Sequence, residues 1–238
     1  GSGMRIILAA LALLFFTSPA FAQGQQSAYH RVITSNTLRC GVMVWPPYFD
    51  RDPNTEEFQG MGVELYRSLA DLLDLKIEFV EVTLGQQVEE LNRGRVDAVC
   101  NDGPYAFSSI KYVGFSDPAY FAPVYMYVAQ DSDFADVENL NSEDATLIGI
   151  DGDVSITLAQ RNFPKAKLST MPGITDVASL MLNITSGKAD GTILDPLAVK
   201  NFNENNEQGL KQLGSEPIAV YPVGFSTRKG EVELLNML

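Results

Sequence analysis

The sequence predicts an α/β fold of two similar lobes, on three observations. Short β-rich runs alternate with amphipathic helical stretches, the grammar of a parallel sheet. The alternation runs through the chain twice, on either side of a longer β run at Tyr120–Ala129. The two passes also echo each other faintly. Leu91–Ala98 and Leu182–Gly191 both read as a helix end, a glycine stop, a basic residue and an aspartate opening a strand. Many βα units end this way, so the echo alone is weak.

The elements follow in order. Leu38–Val44 is a short apolar run and reads as a first strand, stopped by Trp45-Pro46-Pro47-Tyr48. Met61–Leu73 carries Val63, Leu65, Tyr66, Leu69, Ala70 and Leu73 at helical spacing. Lys76–Val82 alternates as a strand, Gln86–Asn92 is a helix ended by Gly94, and Val96–Cys100 is a third strand. After the long β run, Thr146–Ile150 and Lys167–Thr170 read as strands around a helix at Ser155–Asn162. A helix at Asp176–Thr185 and a strand at Gly191–Leu194 complete the second pass.

The start of the chain has another character. Gly1-Ser2-Gly3 precede Met4 and read as a cloning scar. Arg5, the apolar run Ile6–Phe16 and the Ala20-Phe21-Ala22 triplet describe a secretory signal peptide over 4–22, cleaved after Ala22. The run is too short to span a bilayer, which takes roughly 20 apolar residues. Residues 23–35 are expected to be a flexible leader.

Composition narrows the function classes. The chain has 238 residues, with 30 acidic against 17 basic side chains and a net charge of −13. Such a surface repels nucleic acid and anionic membranes. A hydrophobic content of 45% argues against disorder. One histidine, His30, and two cysteines, Cys40 and Cys100, leave too few ligands for a Cys/His metal site. A nucleophilic triad would depend on His30, in the polar stretch before the first strand. No cofactor is expected. Export permits a Cys40–Cys100 disulfide. Two buried free thiols are the other possibility, and both stay open.

Seven motifs in order resemble the bacterial extracellular solute-binding family typified by polar amino-acid receptors of ABC importers. Leu38-Arg39-Cys40-Gly41-Val42 resembles its first strand, and Trp45-Pro46-Pro47-Tyr48 its aromatic-Pro-Pro-aromatic loop. Gly60–Leu65 is similar to its G-[FM]-x-V-[DE]-L helix entry, and Leu91–Ala98 to L-x-x-G-x-x-D-A. Phe115-Ser116-Asp117-Pro118 is similar to F-S-x-P-Y, and Gly191–Asp195 to D-A-x-x-x-D. Val223–Lys229, continuing to Leu234-Leu235, resembles the late strand and helix.

The resemblance implies two Rossmann-like lobes joined by two crossing strands, a periplasmic-binding-protein-like fold with the ligand in the cleft. Residues 36–122 would form the first lobe, 123–217 the second, and 218–238 the return to the first. The family continues for a further helix or two, so the chain is expected to be truncated at its C-terminus. The implied role is capture and release of a small ligand for an ABC permease, as a periplasmic monomer. Two alternatives share the scaffold: a dehydratase acting on cyclohexadienyl acids, and a sensory or accessory module.

The resemblance also implies site residues. Its ligand-binding arginine falls at Ser109, and Lys111 is the nearest cation. Its hydroxyl ligands fall at Asp102 and Pro104, its anion-binding turn at Gly152-Asp153-Val154, and its ammonium-binding carboxylate at Asp195. The pocket thus exchanges a fixed cation for Asp102 and Asp153. A cationic, amine-bearing or neutral polar ligand is expected in place of an α-amino acid. A shifted correspondence around Asn101–Ser109, with Lys111 as anion partner, is the rival. Trp45 and Tyr48 follow the C-terminal end of the first strand, where open α/β sheets bind ligands. Tyr105 is a further candidate wall. Against these roles stand a packed Pro-aromatic turn for Trp45 and Tyr48, a surface turn for Tyr105, and plain helix caps for Asp153 and Asp195.

Overall fold

The computed structural model describes residues 26–103 and 110–238. The segment expected as a signal peptide, and Tyr105 and Ser109, lie outside the described residues.

The first element corrects an expectation. Ala28–Ser35, placed in a flexible leader, form helix α1. Ser27 caps it by accepting from the His30 amide, and Val32 is buried in the adjoining core. The Ala28 amide donates to Glu231 at 3.0 Å, and Arg31 pairs with buried Asp97. These ties, invisible in a local reading, hold the helix in place.

The first lobe follows with β1 (Thr37–Val42), the hairpin strands β2 (Asp50–Arg51) and β3 (Phe58–Gln59), and α2 (Met61–Leu72). β4 (Lys76–Glu81), α3 (Gln87–Asn92), β5 (Ala98–Asp102) and the short β6 (Val113–Phe115) continue it. β7 (Tyr120–Ala129) crosses over. The second lobe holds β8 (Thr146–Ile150), α4 (Val154–Asn162), β9 (Lys167–Met171), α5 (Val177–Thr185) and β10 (Gly191–Leu194). It ends with α6 (Pro196–Asn205) and β11 (Leu210–Leu213), neither of which the sequence reading identified. β12 (Ala219–Arg228) returns to the first lobe, and α7 (Val232–Met237) packs on it.

The strands run in the order β4-β1-β5-β12-β7-β10-β8-β9. β4, β1 and β5 are parallel, as are β10, β8 and β9. The crossing strands β12 and β7 sit between these sets and pair antiparallel with each other. Both faces of the inner strands β8 and β10 are buried, as parallel strands flanked by helices require, while the edge strand β9 is exposed on one face. Ile148 and Ile150 enter one core layer with Leu180 and Leu194; Leu147 enters the other with Met126 and Ile193. In the first lobe, Leu38, Cys40 and Val42 of β1 pack with Phe49, Tyr66 and Phe225. Cys40 and Cys100 are joined by a disulfide between the neighbouring strands β1 and β5, with Cα atoms 5.7 Å apart.

Candidate functional site

Four parallel strands aim their C-terminal ends at one cleft. β1 leads to Met43–Tyr48, β5 ends at Asp102, β8 leads to Asp151–Asp153, and β10 leads to Asp195. This is where open α/β sheets place ligands. The cavity there has a volume of about 110 Å³.

The first wall is the 45–49 loop. The Trp45 amide donates to the Phe49 carbonyl at 2.7 Å, and the Tyr48 amide to the Trp45 carbonyl at 2.9 Å. Gly60 holds this loop against α2. Its φ of +119° suits glycine, and a Cβ there would lie 2.5 Å from the carbonyl oxygens of Pro47 and Tyr48. The amides of Met61 and Gly62 then donate to those two carbonyls, which fixes Tyr48 beside the cleft.

The opposite wall is built from two helix starts. Asp153 caps α4, its carboxylate accepting from the amide and hydroxyl of Ser155. Asp195 caps α6, accepting from the Ala198 amide at 2.8 Å ahead of Pro196 at the first helical position. Its second oxygen accepts from the Trp45 indole N–H at 2.9 Å, a bond across the cleft. The Tyr48 hydroxyl bonds to the same carboxylate.

The floor comes from the crossing strands. Tyr120 is opposite Val223, and Ala122 opposite Tyr221. Side chains alternate across a strand, so Tyr120, Ala122 and Val124 share one face with Tyr221 and Val223. All five line the cavity.

The charge of the site is one-sided. Asp153 and Asp195 line the cavity, and no lysine or arginine is among its described lining residues. Residues 104–109 contain neither residue type. Burial raises the Asp153 carboxyl above its ordinary range, and Asp195 adds to the shift against the Ser155 hydrogen bonds. Burial, then the Asp195 charge, pushes the phenols of Tyr48 and Tyr120 well above their usual value. Tyr221 is raised by burial and then by Asp153. All three are neutral phenols at physiological pH.

Trp45, Tyr48, Asp153 and Asp195 therefore meet on one cavity. Asp102 and Lys111, expected beside them, do not line it. Asp102 is buried and turned toward β12, accepting from the Ser226 hydroxyl at 2.6 Å and the Gly103 amide at 2.9 Å. Burial raises its carboxyl to about 6, against these hydrogen bonds and one from Gln87. Lys111 is exposed, on a single turn of 3-10 helix, with its ammonium 5.1 Å from the Tyr112 ring centre. The sequence reading missed Gln87, Asn101, Tyr120 and Tyr221. Asn101 has a positive φ of 56°, which asparagine tolerates, and its side chain accepts from the Tyr120 hydroxyl. Both tyrosines lie on the crossing strands, and the pairing register of those strands turns them toward the cleft.

The comparisons agree with this architecture. The chain is 24% identical to the ABC transporter glutamine-binding protein GlnH of Bacillus subtilis (strain 168) over 187 residues. That match covers 77% of this chain and 66% of GlnH, so the chain spans about two thirds of that relative's length. It is 25% identical to the L-cystine-binding protein TcyA of the same organism, covering 82% of this chain and 70% of that one. A crystal structure of AncCDT-1, described as an ancestral amino acid-binding protein and a precursor of cyclohexadienyl dehydratase, matches with a TM-score of 0.74. Identity is 28%, over 89% of this chain and 90% of that one. A second AncCDT-1 structure, described as an ancestral cationic amino acid solute binding protein, matches with a TM-score of 0.63. The family model for bacterial extracellular solute-binding proteins, family 3, matches residues 38–238, and the chain belongs to that family.

Proposed function

We propose that the protein captures a small cationic or amine-bearing ligand between its lobes and delivers it to an ABC-type permease, without performing chemistry. One observation carries the ligand class: the cavity is lined by two carboxylates, Asp153 and Asp195, and by no described cation. A desolvated ligand carboxylate would be repelled by such a wall, by several kcal/mol at close range. The start of α4, which corresponds to the family's anion-binding turn, is capped by Asp153 itself. AncCDT-1, described as a cationic amino acid binder, shares the positive charge of the proposed ligand, although an amino acid adds the carboxylate that this wall disfavours. A dehydratase acting on cyclohexadienyl acids would need a cation for its substrate's carboxylate, and Lys111 lies off the described cavity lining. The expected signal peptide supports export to the periplasm, where the protein would act as a monomer.

Thermal unfolding with matched ligand pairs tests this. Agmatine and putrescine should raise the melting temperature more than arginine and ornithine, their carboxylated counterparts. At a hundred dissociation constants of ligand, linkage supplies about 2.7 kcal/mol, or roughly 5–10 °C for a chain of this size. Stabilisation by the amino acids and not by the amines would reject the proposal.

A further inference from the structure

A second cavity adjoins the first. Its volume is about 540 Å³, against about 110 Å³ for the cavity beside Asp153 and Asp195. Tyr48, Asn101, Tyr120 and Ala122 line both, so the two spaces lie side by side along a common border. The start of α6 makes the same passage. Asp195 lines the first cavity, and the next two residues, Pro196 and Leu197, line the second.

The second cavity is a groove along an open strand edge. Five consecutive residues, Ala119–Pro123, line it. Side chains alternate across a strand, so an unbroken run of lining residues marks an edge and not one face. β12 pairs with one edge of β7 over Tyr120–Val124, and β10 joins β7 only from Tyr125 onward. Met61 and Leu65, one turn apart on α2, bound the groove from the first lobe. Pro196 and Leu197 bound it from the second.

Its chemistry is the opposite of the first cavity's. No Asp, Glu, Lys or Arg is among its described lining residues. Its polar side chains, Tyr48, Asn101 and Tyr120, all stand on the common border. There the Tyr120 hydroxyl donates to Asn101, and the Tyr48 hydroxyl bonds to Asp195. Val63, Tyr66 and Ala70 already supply the buried face of α2, which leaves Met61 49% exposed. Phe121 is 65% exposed. Covering such apolar surface is favourable roughly in proportion to its area.

We propose that this groove is a tail subsite, so that the ligand is an amine carrying an apolar chain. The ammonium lies beside Asp153 and Asp195, and the chain lies along β7 between α2 and α6. The proposal rests on the cationic reading above and adds what is attached to the nitrogen. Charge at one end and contiguous apolar lining at the other match the two ends of such a molecule.

Isothermal titration calorimetry of the full chain with butylamine, hexylamine and hexan-1-ol tests this. Each methylene moved from water onto an apolar surface tightens binding by up to about fourfold. Hexylamine should therefore bind at least fivefold more tightly than butylamine, and hexan-1-ol at least tenfold more weakly than hexylamine. Leu65→Ser and Phe121→Ser should each at least halve the hexylamine advantage. The wild-type comparison needs no variant to fold, and melting curves verify both variants. A smaller gain from butylamine to hexylamine would overturn the tail subsite and leave the cationic reading intact. An advantage that both variants retain in full would place the chain elsewhere, with the same consequence. Sedimentation of the wild type as a dimer that Phe121→Ser dissociates would give the groove to a second copy of the chain and overturn the subsite. Hexan-1-ol binding within tenfold of hexylamine, or binding of zwitterionic amino acids and of neither amine, would overturn both readings.

Discussion

Asp102 and Asp195 are both aspartates at the C-terminal ends of strands, yet only Asp195 lines the cleft. The difference lies in what stands opposite each. Asp195 faces the Trp45 loop across a gap. Asp102 faces β12, where a register irregularity between Gly224 and Ser226 brings the Ser226 hydroxyl onto its carboxylate. A strand end is legible in sequence; the partner across the sheet is not. The raised Asp102 pKa has a sign that can be tested. Its folded value of about 6 exceeds the ordinary 3.8, so the folded state keeps this proton to higher pH than the unfolded chain. The stability it contributes is full below pH 3.8 and is lost as pH rises through about 6. Asp102→Asn can keep the Ser226 contact and does not titrate. Urea unfolding should show the variant gaining on the wild type between pH 4 and pH 7, by up to about 3 kcal/mol. Parallel pH profiles would contradict the assignment of that shift to Asp102.

At the scale of elements, the alternation of strand and helix was readable because apolar spacing switches between periods of two and 3.6 along the chain. The predicted α2 and α4 segments, Met61–Leu73 and Ser155–Asn162, lie within a residue of the observed Met61–Leu72 and Val154–Asn162. Helix α1 was hidden by its polar surroundings, although Ser27 as a cap and Val32 as its buried position were both present. Helix α6 had its start signal in Asp195-Pro196, and Asp195 serves as cap and as cleft wall together. Tyr120 and Tyr221 could not be assigned to the cleft floor from sequence. Which face a crossing strand presents depends on its pairing register, and a shift of one residue would turn both tyrosines away. The Cys40–Cys100 link clamps β1 to β5 directly beneath two of the strand ends that feed the cleft. Replacing both cysteines by alanine should lower unfolding stability by about 2–4 kcal/mol, as followed by denaturant titration. An unchanged midpoint would mean that the link contributes nothing to the fold.

At the scale of the whole molecule, the two lobes touch at the cleft mouth through glycines. A Cβ on Gly152 would lie 2.6 Å from the Gly85 Cα, and one on Gly173 would lie 2.6 Å from the Leu84 carbonyl oxygen. Only side-chain-free positions let these loops approach so closely. Gly152→Ala should therefore hold the lobes apart, weakening ligand binding at least tenfold. Small-angle scattering of the ligand-saturated variant should give a larger radius of gyration than the wild type. The positive φ of Gly152 adds a separate cost of about 1–2 kcal/mol to folding, which unliganded melting curves would isolate. A variant that binds and compacts like the wild type would show that this contact plays no part in closure. The most direct measurement is a crystal structure of the complex with the amine that stabilises the protein most. Its nitrogen should lie among Trp45, Tyr48 and Tyr120, within about 6 Å of a ring centre and on the Asp195 side of the cavity. An amine seated outside the cleft, or a ligand anion seated against Asp153, would contradict the account.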